Sequence, residues 1–256
     1  MATHKSNVKR RFAAAAPDYI TSPAHTDREA LDIMRQLANP EADWMVLDIA
    51  TGGGHTAQAF APYVKRVIAS DLTPAMLHAA RQHNAHPNVT FCVADAETLP
   101  FPSNTLDCIT CRIAPHHFAD CYRFVLESAR CLKPDGLLIV QDQRNADDEK
   151  TAAYLDAFER LRDSSHHRAY ADYEWRGMFL DAGLRVEALQ RLSRPAGGLT
   201  TWAQRQRCDA ATIEKLHIML HQAPPAVRQH LQPRYTGTPY ADFMHAYVII
   251  AGRKPD

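Results

Sequence analysis

Three aspartates stand where short β-rich runs end. Asp48 lies near the end of the apolar run Trp44–Ile49, Asp71 follows Arg66–Ser70, and Asp95 follows Val89–Val93. A single acid after a strand is usually a solvated loop residue. Three of them at consecutive strand ends are much harder to assign to chance. After the first comes Ile49-Ala50-Thr51-Gly52-Gly53-Gly54-His55, a strand running through glycines into a helix. Glycines let the backbone approach a ligand closely, and a helix N-terminus adds about half a positive charge. In an open α/β sheet, the carboxyl end of the first strand is where cofactors dock.

Two cofactors suit that loop. Gly52-Gly53-Gly54-His55-Thr56-Ala57 matches G-x-G-x-x-A, and Asp71 stands nineteen positions beyond Gly52, the spacing of an NAD site. Asp48 argues the other way. A carboxylate before the glycines repels a pyrophosphate and attracts a cofactor carrying an ammonium and a sulfonium, as S-adenosylmethionine does. On that reading Asp48, Ala50, Thr51, Gly52 and Gly54 form the cofactor loop, and Asp71 accepts both ribose hydroxyls. Leu72 and Met76 offer an apolar clamp for the purine, although both are ordinary core types. Asp95, with Ala96 and Glu97, is placed to accept from the adenine amino group.

The histidines are the second chemical signal, fourteen in all. His116-His117 follows the fourth strand, and His166-His167-Arg168 lies in a polar loop between later helices. A histidine titrating near pH 6.5 is a fitting base at neutral pH. His116, His117, His166 and His167 are therefore candidate proton acceptors and His117 also a candidate cofactor contact, against the plainer alternative that they brace a loop or the cofactor. Arg112, where the fourth strand ends, has the fork geometry to bind a carboxylate of cofactor or substrate. Trp202 and Arg205, one helical turn apart, are candidate substrate contacts; the alternative puts Trp202 in the core and Arg205 in water. Cys108 and Cys111 form a CxxC pair, but three residues apart on a strand they point to opposite faces. No Cys or acid completes a ligand set with the histidine pairs, so no metal is expected.

The elements that must position these groups follow from the hydrophobic pattern. Helices are expected around Val8–Ala16 and over Asp27–Ala38, the latter with a Thr26/Glu29 capping box. Strands then alternate with helices: Trp44–Ile49, helix His55–Val64, Arg66–Ser70, helix Pro74–His83, Val89–Val93, Leu106–Ile113, helix Cys121–Leu132, Gly136–Asp142. Thr73 caps the Pro74 helix. Such alternation means a parallel sheet with helices on both faces. Helices near Asp148–Arg162 and Asp172–Ala182, a strand Leu184–Leu192 and a helical insertion from Thr200 to Leu231 come next. The last strand, Phe243–Gly252, is apolar on both faces and must insert into the sheet.

Composition bounds the partners. At 256 residues, with 46% hydrophobic and 23% charged, the chain is an ordinary globular domain large enough to need no staples. Its 29 basic and 29 acidic residues cancel, which counts against nucleic acid as a partner. Ala13–Ala16 is too short for a secretory signal and no run is long enough to span a membrane, so a cytoplasmic protein is expected.

The motifs Val46-Leu47-Asp48-Ile49-Ala50-Thr51-Gly52-Gly53-Gly54, Ala69-Ser70-Asp71, Ala94-Asp95-Ala96-Glu97-Thr98-Leu99-Pro100-Phe101 and Leu132-Lys133-Pro134-Asp135-Gly136 together resemble the class I S-adenosylmethionine-dependent methyltransferases. The likeness is strongest to the small-molecule branch that includes the ubiquinone/menaquinone C-methyltransferases, and it covers about residues 45–183. The family often has glycine where Ala50 stands. The stretches Cys111–Phe118 and Arg162–Tyr170 look like an uncharacterised bacterial subgroup. The resemblance implies a doubly wound, seven-stranded α/β sheet, mostly parallel with its last strand antiparallel, with N-terminal helices and a helical insertion before that strand. It implies one domain: cover helices 1–40, cofactor-binding core 41–195, helical lid 196–240 and closing strand 241–256. It also implies that Tyr19, with His25 nearby, approaches the cofactor over the N-terminal segment 18–25. No Asn/Asp-Pro-Pro-Tyr/Phe sequence follows the fourth strand, which counts against a nucleic-acid base as acceptor. The reading is a methyltransferase with a small-molecule acceptor; an NAD-dependent oxidoreductase and a non-catalytic S-adenosylmethionine-binding protein are the alternatives.

Overall fold

The computed structural model describes residues 2–20 and 26–256, with side chains described for 3–16 and 26–256. Ten α-helices among these residues surround one seven-stranded sheet. Strands β1 (Met45–Ile49), β2 (Arg66–Asp71), β3 (Val89–Val93), β4 (Leu106–Arg112), β5 (Leu132–Gln143), β6 (Arg185–Pro195) and β7 (Met244–Arg253) lie in the order β3-β2-β1-β4-β5-β7-β6. β7 runs antiparallel to both β5 and β6; the other pairs are parallel. The final strand is thus interior, as its two apolar faces require. The order reverses between β1 and β4, which opens a crevice at their carboxyl ends.

Alternate strand residues build two cores. Val46, Cys108, Ile139 and Ile249 pack with Met34 of α2 (Arg28–Ala38) and Phe60 of α3 (His55–Phe60). Leu47, Ile109, Cys111 and Val140 pack on the other side with α5 (Cys121–Cys131) and α7 (Asp172–Asp181), through Phe124, Trp175 and Phe179. Cys108 and Cys111 fall in opposite layers, as strand geometry demands. A third core joins α6 (Glu149–Arg162) to the insertion, which forms α8 (Leu199–Gln204), α9 (Ala210–His221) and α10 (Pro225–Leu231).

Two local expectations are corrected. The first helix, α1, runs from Ala2 to Ile20, well beyond Val8–Ala16 at both ends. The cap of α2 is Asp27, whose Oδ1 accepts from Ala30 N at 3.2 Å. No Thr26/Glu29 box forms, because Glu29 turns outward to Arg194 at 2.8 Å. Thr73 does occupy the cap position of α4 (Pro74–His83), but makes no side-chain cap bond.

One glycine holds two layers together. A Cβ on Gly252 would lie 2.5 Å from Phe179 Cδ1, and Phe179 is fully buried. Gly252→Ala should therefore destabilise the protein by about 1–3 kcal/mol through overpacking, read as a lower denaturant midpoint at unchanged slope. An unchanged midpoint would show that α7 yields freely.

Candidate active site

A cavity of about 900 Å³, counted with its open mouth, sits at the carboxyl ends of β1, β2, β3 and β4. Its floor is the loop after β1. Ala50 and Gly52 adopt left-handed backbone, with φ of 50° and 52°. The turn folds back so that Thr51 N donates to Ser70 O at 2.8 Å, carrying Asp48, Thr51 and Gly52 to the cavity wall. Gly54 also has positive φ but stands behind this wall, against Ala80 of α4.

Asp48 is buried and accepts two hydroxyls, Thr51 Oγ1 at 2.6 Å and Thr110 Oγ1 at 2.8 Å. Burial pushes its carboxyl up to about 6, although both hydroxyls and the Arg112 charge oppose the shift. Arg112 lines the same wall, donates from Nε to Thr56 Oγ1 at 3.2 Å, and is brought down to about 10 by burial. Asp71 accepts backbone amides on both oxygens, Thr73 N at 2.8 Å and Gly52 N at 3.1 Å. These fix the carboxylate plane against the glycine loop, and burial raises this acid also to about 6. Leu72, Met76 and Ala96 line the wall between Asp71 and Asp95. Asp95 Oδ1 accepts from Glu97 N at 3.0 Å.

The roof is α1, and it supplies residues that the sequence reading missed. Lys5, Val8 and Phe12 line the cavity at helical spacing i, i+3, i+7. Lys5 Nζ bridges Asp95 Oδ2 at 2.6 Å and Glu97 Oε2 at 2.7 Å. The neighbouring stripe ties the roof down. His4 Nε2 donates to His117 O at 2.8 Å, Asn7 Nδ2 to Ser164 O at 3.1 Å, and Arg11 Nε pairs with Asp163 at 2.7 Å. Both stripes were legible as period-3.6 rows, but only for a helix begun before Val8. Ile49, His55, Thr56, Thr73, Ala94, Ile113, Ala114 and Phe118 complete the lining and were also not anticipated.

The four histidines separate. His117 lines the cavity and the other three do not. His116 turns to Asp142, with Nδ1 to Oδ1 at 2.6 Å and its own amide to Oδ2 at 2.8 Å. His166 is buried with Nε2 on Asp156 at 2.8 Å. His167 is exposed and lies against the His4 ring, with centroids 5.1 Å apart. Trp202 and Arg205 do not reach the cavity either, a correction to the expected substrate contact. Trp202 stacks on Phe158 at 5.3 Å beneath the Arg162 guanidinium, because the insertion needs an apolar centre of its own. Arg205 Nη2 donates to Ala196 O at 2.6 Å. The Tyr19 side chain and His25 lie outside the described residues. Among the described residues no group of three or more His, Cys, Asp or Glu is arranged to hold a metal.

The donor set suits an adenosyl sulfonium. Buried carboxylates at two strand ends flank a left-handed loop, and a third acid marks the far end, where dinucleotide phosphates would meet negative charge. A doubly wound sheet with this crevice and this loop defines a nucleotide-cofactor enzyme of the class I methyltransferase type.

Comparison with known proteins agrees. The methyltransferase-domain family profile matches residues 47–140. The uncharacterized methyltransferase YcgJ of Bacillus subtilis is 35% identical over 220 residues, 85% of this chain and 87% of that one. The crystal structure of YcgJ superposes with a TM-score of 0.84, covering 90% of this chain and 99% of its own. The ubiquinone/menaquinone C-methyltransferase UbiE of Marinomonas is 34% identical over 120 residues, 44% of this chain and 48% of that one. The chain belongs to the methyltransferase family, is an enzyme, and uses S-adenosylmethionine as its cofactor. The NAD alternative left open by the glycine spacing is thereby removed.

Proposed function

We propose that the protein transfers a methyl group to a small-molecule acceptor inside the roofed cavity. The observation that carries this reading is the pairing of acids and apolar wall in one enclosure: Asp48, Asp71 and Asp95 line the same cavity as Phe12, Ile113, His117 and Phe118. In this reading Asp71 binds the ribose hydroxyls, and Leu72 with Met76 clamps the adenine beside Asp95. Asp48 faces the cationic end through the loop Ala50-Thr51-Gly52. When bound, the cofactor supplies an electrophilic methyl group on sulfur. The chain's own contribution is to hold the acceptor against that methyl at about 3–3.5 Å, exclude water beneath α1, and assist removal of a proton.

The remaining aromatic and aliphatic lining favours an apolar, planar acceptor over a nucleic acid, in keeping with zero net charge. The UbiE-like portion of the chain supports the same class. All six cysteines are unpaired, which supports a reducing, cytoplasmic setting. Residues 1–256 then work as one domain, α1 serving as the cover. The test is turnover of methyl-labelled S-adenosylmethionine with a panel of simple phenols and hydroquinones. Labelled product with stoichiometric S-adenosylhomocysteine is expected. Cofactor binding without any turnover across the panel would place the acceptor outside this class of small apolar molecules.

A further inference from the structure

The position of one proton follows from the surroundings of His117. Its Nδ1 lies 3.0 Å from the backbone carbonyl of Ser165. A carbonyl oxygen only accepts, so Nδ1 must carry the hydrogen. The same N–H points at Ser165 Oγ, 3.3 Å away, whose own hydrogen is committed to Asp163 Oδ1 at 2.6 Å. Arg11 completes the row on Asp163. The chain of donors therefore runs one way, from His117 to Ser165 to Asp163, and leaves the lone pair on Nε2. That atom has no hydrogen-bond partner among the described residues, while the ring lines the cavity with Phe12 edge-on at 4.9 Å.

Burial and the neighbouring histidines hold the ring neutral, against the Asp163 charge and the Ser165 hydrogen bond, which favour a proton on it. His116 packs against it at 4.1 Å between centroids, with His166 behind His116 at 5.4 Å; His4 caps its carbonyl from α1. Burial first, then the adjacent His116, keeps the His117 ring well below the ordinary histidine range. For Asp163, burial opposes ionisation, but the Arg11 charge and the hydrogen bonds from Ser165 Oγ and N keep its carboxyl below the ordinary range. His116 is held differently. Its Nδ1 is engaged by Asp142, and the attraction of that carboxylate outweighs burial and raises the ring above the usual value.

We propose that His117, through Nε2, is the group that takes the proton from the methyl acceptor, and that the acceptor is therefore a small apolar molecule presenting an ionisable X–H, a hydroxyl or an acidic C–H. This rests on the methyltransferase reading of the same cavity. As the X–H bond breaks, its proton goes to Nε2 and a pair on X forms the bond to the methyl carbon. The pair of the sulfur–carbon bond stays on sulfur. Total charge in the enclosure is unchanged: the positive charge lost at sulfur appears on the imidazole, where Ser165 O and Asp163 are already oriented toward it. His116, His166 and His167 are positioning or surface groups, and acceptors without a removable proton, such as tertiary amines and thioethers, are excluded from the class.

Long-range proton–nitrogen NMR of the full-length protein loaded with S-adenosylhomocysteine reads the tautomer directly. His117→Gln assigns the signals. Protonated Nδ1 and bare Nε2 are expected from pH 7.5 down to pH 6. A proton on Nε2, or a doubly protonated ring at pH 7, would overturn the proposal. On any phenol or hydroquinone that turns over, His117→Ala should lower kcat about 10²- to 10⁴-fold, the range of lost proton transfer. The KM for S-adenosylmethionine should stay within a few-fold of the wild type. An unchanged kcat would also overturn the assignment. If the wild type gives no calorimetric heat with S-adenosylhomocysteine, the underlying reading of the cavity fails instead, whatever the tautomer.

Discussion

Asp71→Ala should weaken S-adenosylmethionine binding by two to four orders of magnitude. The carboxylate is fixed by Thr73 N at 2.8 Å and Gly52 N at 3.1 Å, so it meets a ribose without reorganising. Each hydroxyl-to-carboxylate bond is charge-assisted and contributes about 1.5–3 kcal/mol, and two of them give about 3–6 kcal/mol. At about 1.4 kcal/mol per decade that is the stated loss. The variant also leaves two amide donors unpaired, which costs roughly 1–3 kcal/mol of stability for each one that water does not reach. Circular dichroism and the thermal midpoint must accordingly be recorded beside the calorimetric titration. Asp71→Asn, which retains one acceptor oxygen, should fall between wild type and alanine. If the folded alanine variant binds within threefold of wild type, Asp71 does not hold the ribose.

Lowering the pH from 7 to 5 should weaken cofactor binding about a hundredfold. Asp48 and Asp71 are each pushed by burial up to about 6. A cationic cofactor favours their ionised forms, so the bound state has lower carboxyl pKa values than the free one and binding below pH 6 releases protons. Affinity therefore falls as pH falls. Across one unit below 6 each group costs about tenfold, and the two together about a hundredfold. Isothermal titration in buffers of different ionisation enthalpy measures both the affinity and the released protons. A flat profile from pH 7 to 5 would mean that neither carboxylate changes state on binding.

The sheet and its order were legible because buried parallel strands are short apolar runs between turn signals, and because the last strand is apolar on both faces. The acidic strand ends were legible for a similar reason: Asp48 interrupts a run that otherwise avoids charge. The roof was harder to read. Lys5, Val8 and Phe12 form a single lining stripe, but α1 is polar overall, and its periodicity is diluted by polar residues such as Arg11, which pairs with Asp163. The role of each histidine was not readable from spacing. What separates His117 from His116 is a carbonyl 48 positions away in the chain at Ser165, and a carboxylate 26 positions away at Asp142. Trp202 and Arg205 carried a one-turn spacing that equally suits a lid or a core, and the packing of Phe158 and Phe243 around the indole decides for the core.

The central claim is that the acids at the strand ends and His117, which line one cavity, meet one bound cofactor there. A crystal structure with S-adenosylhomocysteine tests it most directly. The account predicts both ribose hydroxyls within hydrogen-bond distance of Asp71, the adenine between Leu72 and Asp95, and the sulfur open toward the space bordered by His117 Nε2 and Phe12. A nucleoside lying elsewhere, or a sulfur walled off from His117, would contradict it.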